Sequence, residues 1–306
     1  RPSLGSVAST LRGPNQPGLP AYVAVPHLRG GTDNFFHYAA YLGAGANPLI
    51  ANSDPNTPQF KVRNLSLATD LTFERLEDRK SILDSLDGMR RSNSATLGTL
   101  GEHQQRAFDL LTSPAVAKAF EINAETDKLR DRYGRHIFGQ SALLARRLVE
   151  AGVTFVTVNT EPWDHHGTAN RLATEPGSRK LIPPADRAIA ALIEDLHNRG
   201  LAEKTLVVAM GEFGRTPRMN ADGGRDHWGN VFSVLFAGGS LKMGQIVGKS
   251  NPRGEYVLDR PITPQDIAAT VFHHLGIDGQ KVIFKDSQKR PTALLDHGTP
   301  IRELVG

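Results

Sequence analysis

Over its second half this chain alternates two apolar rhythms, stretches of helical period and short continuous runs rich in β-branched residues; its first sixty or so residues show neither clearly. That opening stretch is rich in Gly, Pro and Asn, and one apolar run, Tyr22 to Pro26, reads as a strand. From Thr72 the character changes. Leu76, Ile82, Leu83, Leu86 and Met89 recur near helical spacing among many charges, and proline is absent from Lys61 to Thr112, so a helical subregion is expected over 70–135.

Gln140 to Gly152 reads as a helix with Leu143, Leu144, Leu148 and Val149 mostly on one side, closed by Gly152 and followed at once by the strand-like run Val153 to Val158. After a polar loop, Leu181, Ala185, Ile189, Leu192 and Leu196 mark an amphipathic helix closed by Gly200, and Thr205 to Met210 reads as a second buried strand. A third run, Val231 to Ala237, follows a glycine-rich loop. Thr263-Pro-Gln-Asp266 opens the last clear helix as a capping-box start with proline at the first helical position, and Gly276 ends it. Helices alternating with continuous strands predict an α/β fold, a mostly parallel sheet sandwiched by helices.

Composition narrows the chemistry. With 306 residues, 39% hydrophobic, the chain can bury a sizeable core. Its 36 Lys plus Arg against 32 Asp plus Glu leave a formal charge of only +4, with the basic residues scattered, which argues against nucleic acid as a partner. No cysteine is present, so disulfides, thiolate sites and a cysteine nucleophile are excluded and a metal must sit on His, Asp and Glu. No apolar run approaches the roughly 20 residues that span a bilayer. No signal opens the chain, and its start at Arg1 leads us to expect an upstream segment.

Ligand sites in open α/β sheets lie beyond the carboxyl ends of strands, which directs attention to the loops after Val158 and Met210. The first reads Asn159-Thr-Glu-Pro-Trp-Asp-His-His166. The second reads Gly211-Glu-Phe-Gly-Arg-Thr-Pro217 and runs on to Gly224-Arg-Asp-His-Trp228. Carboxylates and imidazoles are the ligands of divalent cations where thiolates are absent, and Asp164, His166, Glu212, Asp226 and His227 would meet the count of three to six. Arg215, Arg218 and Arg225 bracket the second loop, and guanidinium forks suit phosphate or sulfate oxygens. If Glu212 and His227 share one sheet edge, the strand beginning at Val231 must run antiparallel to the one ending at Met210. His273 and His274 fit a helix surface and boundary. His37 lies in an aromatic segment that reads as packing, and Gly238-Gly-Ser240 reads as a turn.

Gly211-Glu-Phe-Gly-Arg-Thr-Pro-Arg-Met-Asn220 with Gly224-Arg-Asp-His-Trp228 resembles the sulfatase-like family called domain of unknown function 1501, of the alkaline phosphatase superfamily. Tyr133-Gly-Arg-His-Ile-Phe-Gly-Gln140, Ala145 to Phe155 and Asp259 to Asp266 extend the resemblance over nearly the whole chain. It implies a metal-dependent hydrolase of phosphate or sulfate esters, with a divalent cation (zinc, manganese or calcium) at the carboxyl edge of a mixed sheet. It also implies a small anionic ester or a sulfated or phosphorylated glycan as substrate, and an exported or periplasmic location.

The family's Trp-Asp-Thr-His falls on Trp163, Asp164, His165 and His166, leaving open which histidine faces the metal. The family's glutamate falls on Glu212 and its Asp-His pair on Asp226 and His227. His165 and Arg215 are the candidate catalytic groups. Members also carry an N-terminal strand and a motif with an aspartate ligand and a hydroxyl nucleophile, which nothing in 1–306 matches. The expectation is therefore a hydrolase in a single α/β domain short of that strand and motif, with the activity of 1–306 by itself left open, and the alternative is a non-catalytic anion- or glycan-binding relative.

Overall fold

In the computed structural model the described residues are 1–27, 37–62, 65, 72, 74–75, 78–79, 81–82, 105, 107–160, 162–168 and 172–306. Of the apolar positions that suggested a helix after Thr72, Leu76, Leu83, Leu86 and Met89 lie outside them; Ile82 is helical and exposed. Farther along, the helices Pro114–Phe120 and Asp127–Tyr133 fall within the expected subregion. The chain forms two compact units, Arg1–Thr126 with Arg147–Asn159, and Asp127–Arg146 with Thr160–Gly306.

In the first unit, β1 (Tyr22–Val25), β2 (Leu49–Ile50) and β3 (Phe155–Val158) make a parallel sheet in the order β2-β1-β3. All four β1 residues are buried, as a central strand requires, and Val23 and Val25 are wholly so. Burying one such side chain is worth about 1.5–3 kcal/mol. The helix Leu4–Arg12 is capped by Ser3, whose hydroxyl accepts from the Ser6 amide. Gly152 has a φ of 116°, and a Cβ there would lie 2.6 Å from Cβ of Gln16. The expected cap of the helix Ile137–Ala151 is thus also a point of close chain approach. His37 is partly buried and its carbonyl accepts from Ser3 Oγ.

The second unit carries β4 (Leu206–Ala209), β5 (Gly214–Arg215), β6 (His227–Trp228), β7 (Leu235–Gly238), β8 (Lys249–Ser250), β9 (Val257–Asp259), β10 (Ile283–Lys285) and β11 (Pro291–Ala293). They pair β4-β7, β5-β6, β8-β9 and β10-β11, each antiparallel. The strand after the second loop does run antiparallel to β4, though it begins at Leu235, four residues later than the apolar run. Among the described residues the parallel sheet has three strands, so the architecture is mixed α/β with a small parallel part.

The helix Thr174–Asn198 starts seven residues before the apolar pattern does. Pro183 and Pro184 lie inside it and cannot donate to the carbonyls of Arg179 and Lys180, which disguises the helix in the sequence. Its buried stripe is built of small residues, Gly177, Ala185, Ala188 and Ala191, with Leu196. On the same stripe sits a buried charge. Asp195 Oδ2 lies 2.9 Å from Arg146 Nε and accepts from Tyr133 Oη at 3.0 Å, while Oδ1 accepts from Arg199 Nε at 2.8 Å. Burial and the facing carboxylate push the Tyr133 phenol well above its ordinary value. The helix Pro264–His274 has the expected capping box between Thr263 and Asp266, with His273 exposed and His274 half-buried.

His136 precedes the helix Ile137–Ala151, and its Nδ1 accepts from the Gly139 amide at 3.0 Å, as an N-terminal cap does. Burial, and then the charge of Arg187, lower its pKa below the ordinary 6.5. The unfolded chain therefore binds the proton more readily. The cap's contribution, of order 1 kcal/mol, is complete above pH 6.5 and is lost as the pH falls through the depressed native value. We expect the thermal midpoint to drop between pH 7.5 and about 5.5 and His136→Asn, which keeps an acceptor but does not titrate, to flatten that dependence; equal slopes in both proteins would refute the cap.

Candidate metal centre

Two turns of the second unit are locked together by backbone contacts that only glycine and one asparagine permit. Gly167 adopts a φ of +74°, and a Cβ there would collide with the Asp222 carbonyl. A Cβ on Gly224 would collide with the carbonyl of His166. Asn220 Nδ2 donates to the His166 carbonyl at 2.9 Å, and its Oδ1 accepts from the amides of Gly224 and Asp222. The Arg225 amide donates to the His165 carbonyl at 2.8 Å, and the Thr216 amide to the Asp226 carbonyl at 2.9 Å. With β5 and β6 paired so that Arg215 stands opposite His227, the Asp164 loop and the Arg-Asp-His turn meet.

The result is a group of three donor atoms. Asp164 Oδ1 lies 2.7 Å from His166 Nε2 and 3.6 Å from His227 Nε2, and the two imidazole nitrogens are 3.2 Å apart. Ligands held at about 2.0–2.2 Å in a tetrahedron are about 3.3 Å from one another, so the spacing matches what one cation would need. Among the described residues these three side chains form a group able to hold a metal ion. His227 is the most accessible of them, and its ring lies 4.1 Å from that of Phe213, centroid to centroid.

His166 is oriented from behind. Its Nδ1 is 2.8 Å from Asp226 Oδ1, and with the proton on Nδ1 the Nε2 lone pair would be directed into the group. That same hydrogen bond is the largest cause of the low pKa of Asp226. Arg215 closes the other side: Nη2 donates to Asp164 Oδ1 at 3.0 Å and to the Trp163 carbonyl at 2.8 Å, and Nη1 is 3.2 Å from His166 Nε2.

His165 lies elsewhere. It is buried, and its ring packs where a Cβ on Gly177 would otherwise stand, in the first turn of the helix Thr174–Asn198. Burial, then the charge of Arg215, lower its pKa, with Asp164 acting the other way. Among the described residues its Nε2 has no hydrogen-bond partner. Neighbouring histidines thus point apart, and His166 is the one at the group. Glu212 is exposed in the segment between β4 and β5, and neither it nor Asp226 contributes an atom to the three-way group. Arg225 is committed to structure, since its Nη1 donates to the carbonyls of Thr216 and Pro217.

An open groove of about 660 Å³ runs alongside, lined by Phe213 and Arg215 and by the turn Asn251 to Gly254. Sequence reasoning did not single out that turn, nor Asn220, Phe213 or Gly177. Asn220 stood inside the recognised motif and its spacing of four to Gly224 was a usable signal. Gly177 and the Asn251 turn gave none, because their partners are distant in the chain.

Residues 1–305 match the model of a family described as protein of unknown function (DUF1501). No curated protein and no solved structure matches the chain.

Proposed function

We propose that this chain, which belongs to the family described as protein of unknown function (DUF1501), holds a divalent cation between Asp164, His166 and His227 and hydrolyses phosphate or sulfate esters there, on an alkaline phosphatase-like fold. One observation carries this: three donor atoms from two separate turns stand 2.7–3.6 Å apart with a guanidinium beside them. Two imidazoles and one carboxylate suit zinc or manganese better than calcium, which takes about six to eight oxygens. Such a cation supplies Lewis acidity to an ester oxygen that meets it.

The protein's own groups do the rest. Asp226 keeps the proton on Nδ1 of His166 so that Nε2 stays a donor of electrons. Arg215, bonded to Asp164 beside the donor group, offers a guanidinium fork suited to the oxygens of a tetrahedral phosphate or sulfate. Phe213 covers one face of His227 and so limits water on that side. His165, buried and held below its ordinary pKa, serves as a packing residue under the loop.

The contact of Arg215 with His166 also supports a second function, anion binding without catalysis, since a guanidinium can hold an oxyanion with no cation present. Metal analysis of the purified protein, with turnover of 4-nitrophenyl phosphate and 4-nitrophenyl sulfate under added Zn²⁺ or Mn²⁺, separates the two. Roughly one equivalent of metal together with metal-dependent turnover is expected. Sulfate or phosphate binding that is indifferent to metal, with no turnover of either ester, would establish the binding protein instead.

A further inference from the structure

The groove beside the candidate centre carries a second cation, Arg253. Arg215, Arg225 and Arg253 line it, and among the described residues no Asp or Glu does. Arg225 is occupied by backbone carbonyls and Arg215 by Asp164. Arg253 is exposed, and among the described residues its guanidinium meets neither carboxylate nor carbonyl. Like charges gathered along an acid-free wall repel one another and raise the local concentration of anions.

We propose that this groove binds a second anionic group of the substrate at Arg253, so that the preferred esters carry two phosphate, sulfate or carboxylate groups on one small frame. The reading of the centre as an ester site is needed only for the first group. The turn that presents Arg253 is built to hold a position. Asn251 is buried, its Oδ1 accepts from the amides of Glu255 and Tyr256, and its Nδ2 donates to the Glu255 carboxylate at 3.1 Å.

The turn is also tied to the strand of the centre. Trp228 follows His227 on β6, and its Nε1 donates to the Glu255 carbonyl at 2.7 Å. Alternate residues of a strand point to opposite faces, so His227 serves the donor group while Trp228 anchors the Arg253 turn. The hydroxyl-bearing Ser233 and Ser250 and the ring-bearing Phe213 and Phe232 line the same groove. Such a wall suits a small polyol or aromatic frame with an anion at each end.

Calorimetric titration of the full chain with inorganic phosphate and with fructose 1,6-bisphosphate, each with and without Mn²⁺, tests this. Arg253→Ala should weaken the bisphosphate about tenfold and leave inorganic phosphate within about twofold, the size of one charge-assisted pair. Arg218→Ala, which removes an equal charge from the neighbouring loop outside the groove, should leave both ligands within about twofold. An Arg253→Ala protein that binds both ligands like the parent overturns the second site while Mn²⁺-dependent phosphate binding still upholds the centre. Equal losses in Arg253→Ala and Arg218→Ala overturn it too, as a net-charge effect. Bisphosphate binding that depends on Arg253 but is indifferent to Mn²⁺ and to His227→Ala upholds the groove and overturns the cation centre.

Discussion

Replacing Asp164 by alanine is expected to weaken Zn²⁺ or Mn²⁺ binding by at least about 100-fold, beyond the 10–100-fold typical of groups that only orient a ligand. Asp164 is the sole carboxylate in the three-atom group, and its Oδ1 lies within 3.6 Å of both imidazoles. It also bonds Arg215, but that side chain keeps the Trp163 carbonyl at 2.8 Å, so the loop retains a tie when the carboxylate is gone. Asp226→Asn should fall in the lower range, about tenfold, because the amide oxygen still accepts from His166 Nδ1 but without a charge. Equilibrium dialysis against a metal indicator gives both numbers. A parent-like affinity in Asp164→Ala, with an unchanged circular dichroism spectrum, would remove the basis of the centre.

The largest effect on stability is expected at Asp195. Its carboxylate is 9% exposed and faces Arg146, which is 1% exposed, so truncation to alanine takes one half of a buried ion pair away and leaves the other in place. Breaking a buried pair from one side costs about 3–5 kcal/mol, whereas replacing both partners with apolar residues of similar volume is often neutral. Asp195→Ala should therefore lower the urea midpoint sharply, and Asp195→Leu combined with Arg146→Met should recover much of the loss. Arg199, one third exposed, can turn to solvent in either variant. A single-variant cost below about 1 kcal/mol would show that water reaches Arg146.

How much of this was legible beforehand depended on the range of the contacts. Periodicity located β1, β3 and β4 and the helices Ile137–Ala151 and Pro264–His274 to within a few residues, because a repeating apolar face is a local property. It failed at the start of Thr174–Asn198, where two prolines interrupt the expected chemistry of a helix whose buried stripe is alanine and glycine. It also began β7 too early: Val231 faces Gly214 in the glycine-rich turn, and pairing with β4 starts at Leu235.

The residue types at the candidate centre follow from the chain alone: with no cysteine, only acids and histidines could be ligands, and two loops hold them in clusters. Which of them converge was a matter of tertiary structure. His165 and His166 are indistinguishable as neighbours in a row; only the absence of a side chain at Gly177 gives the first a place to pack, and only Asp226, sixty residues away, turns the second toward Asp164 and His227. Hydrogen bonds and steric gaps between distant residues decide such choices, and they exist once the chain has closed on itself.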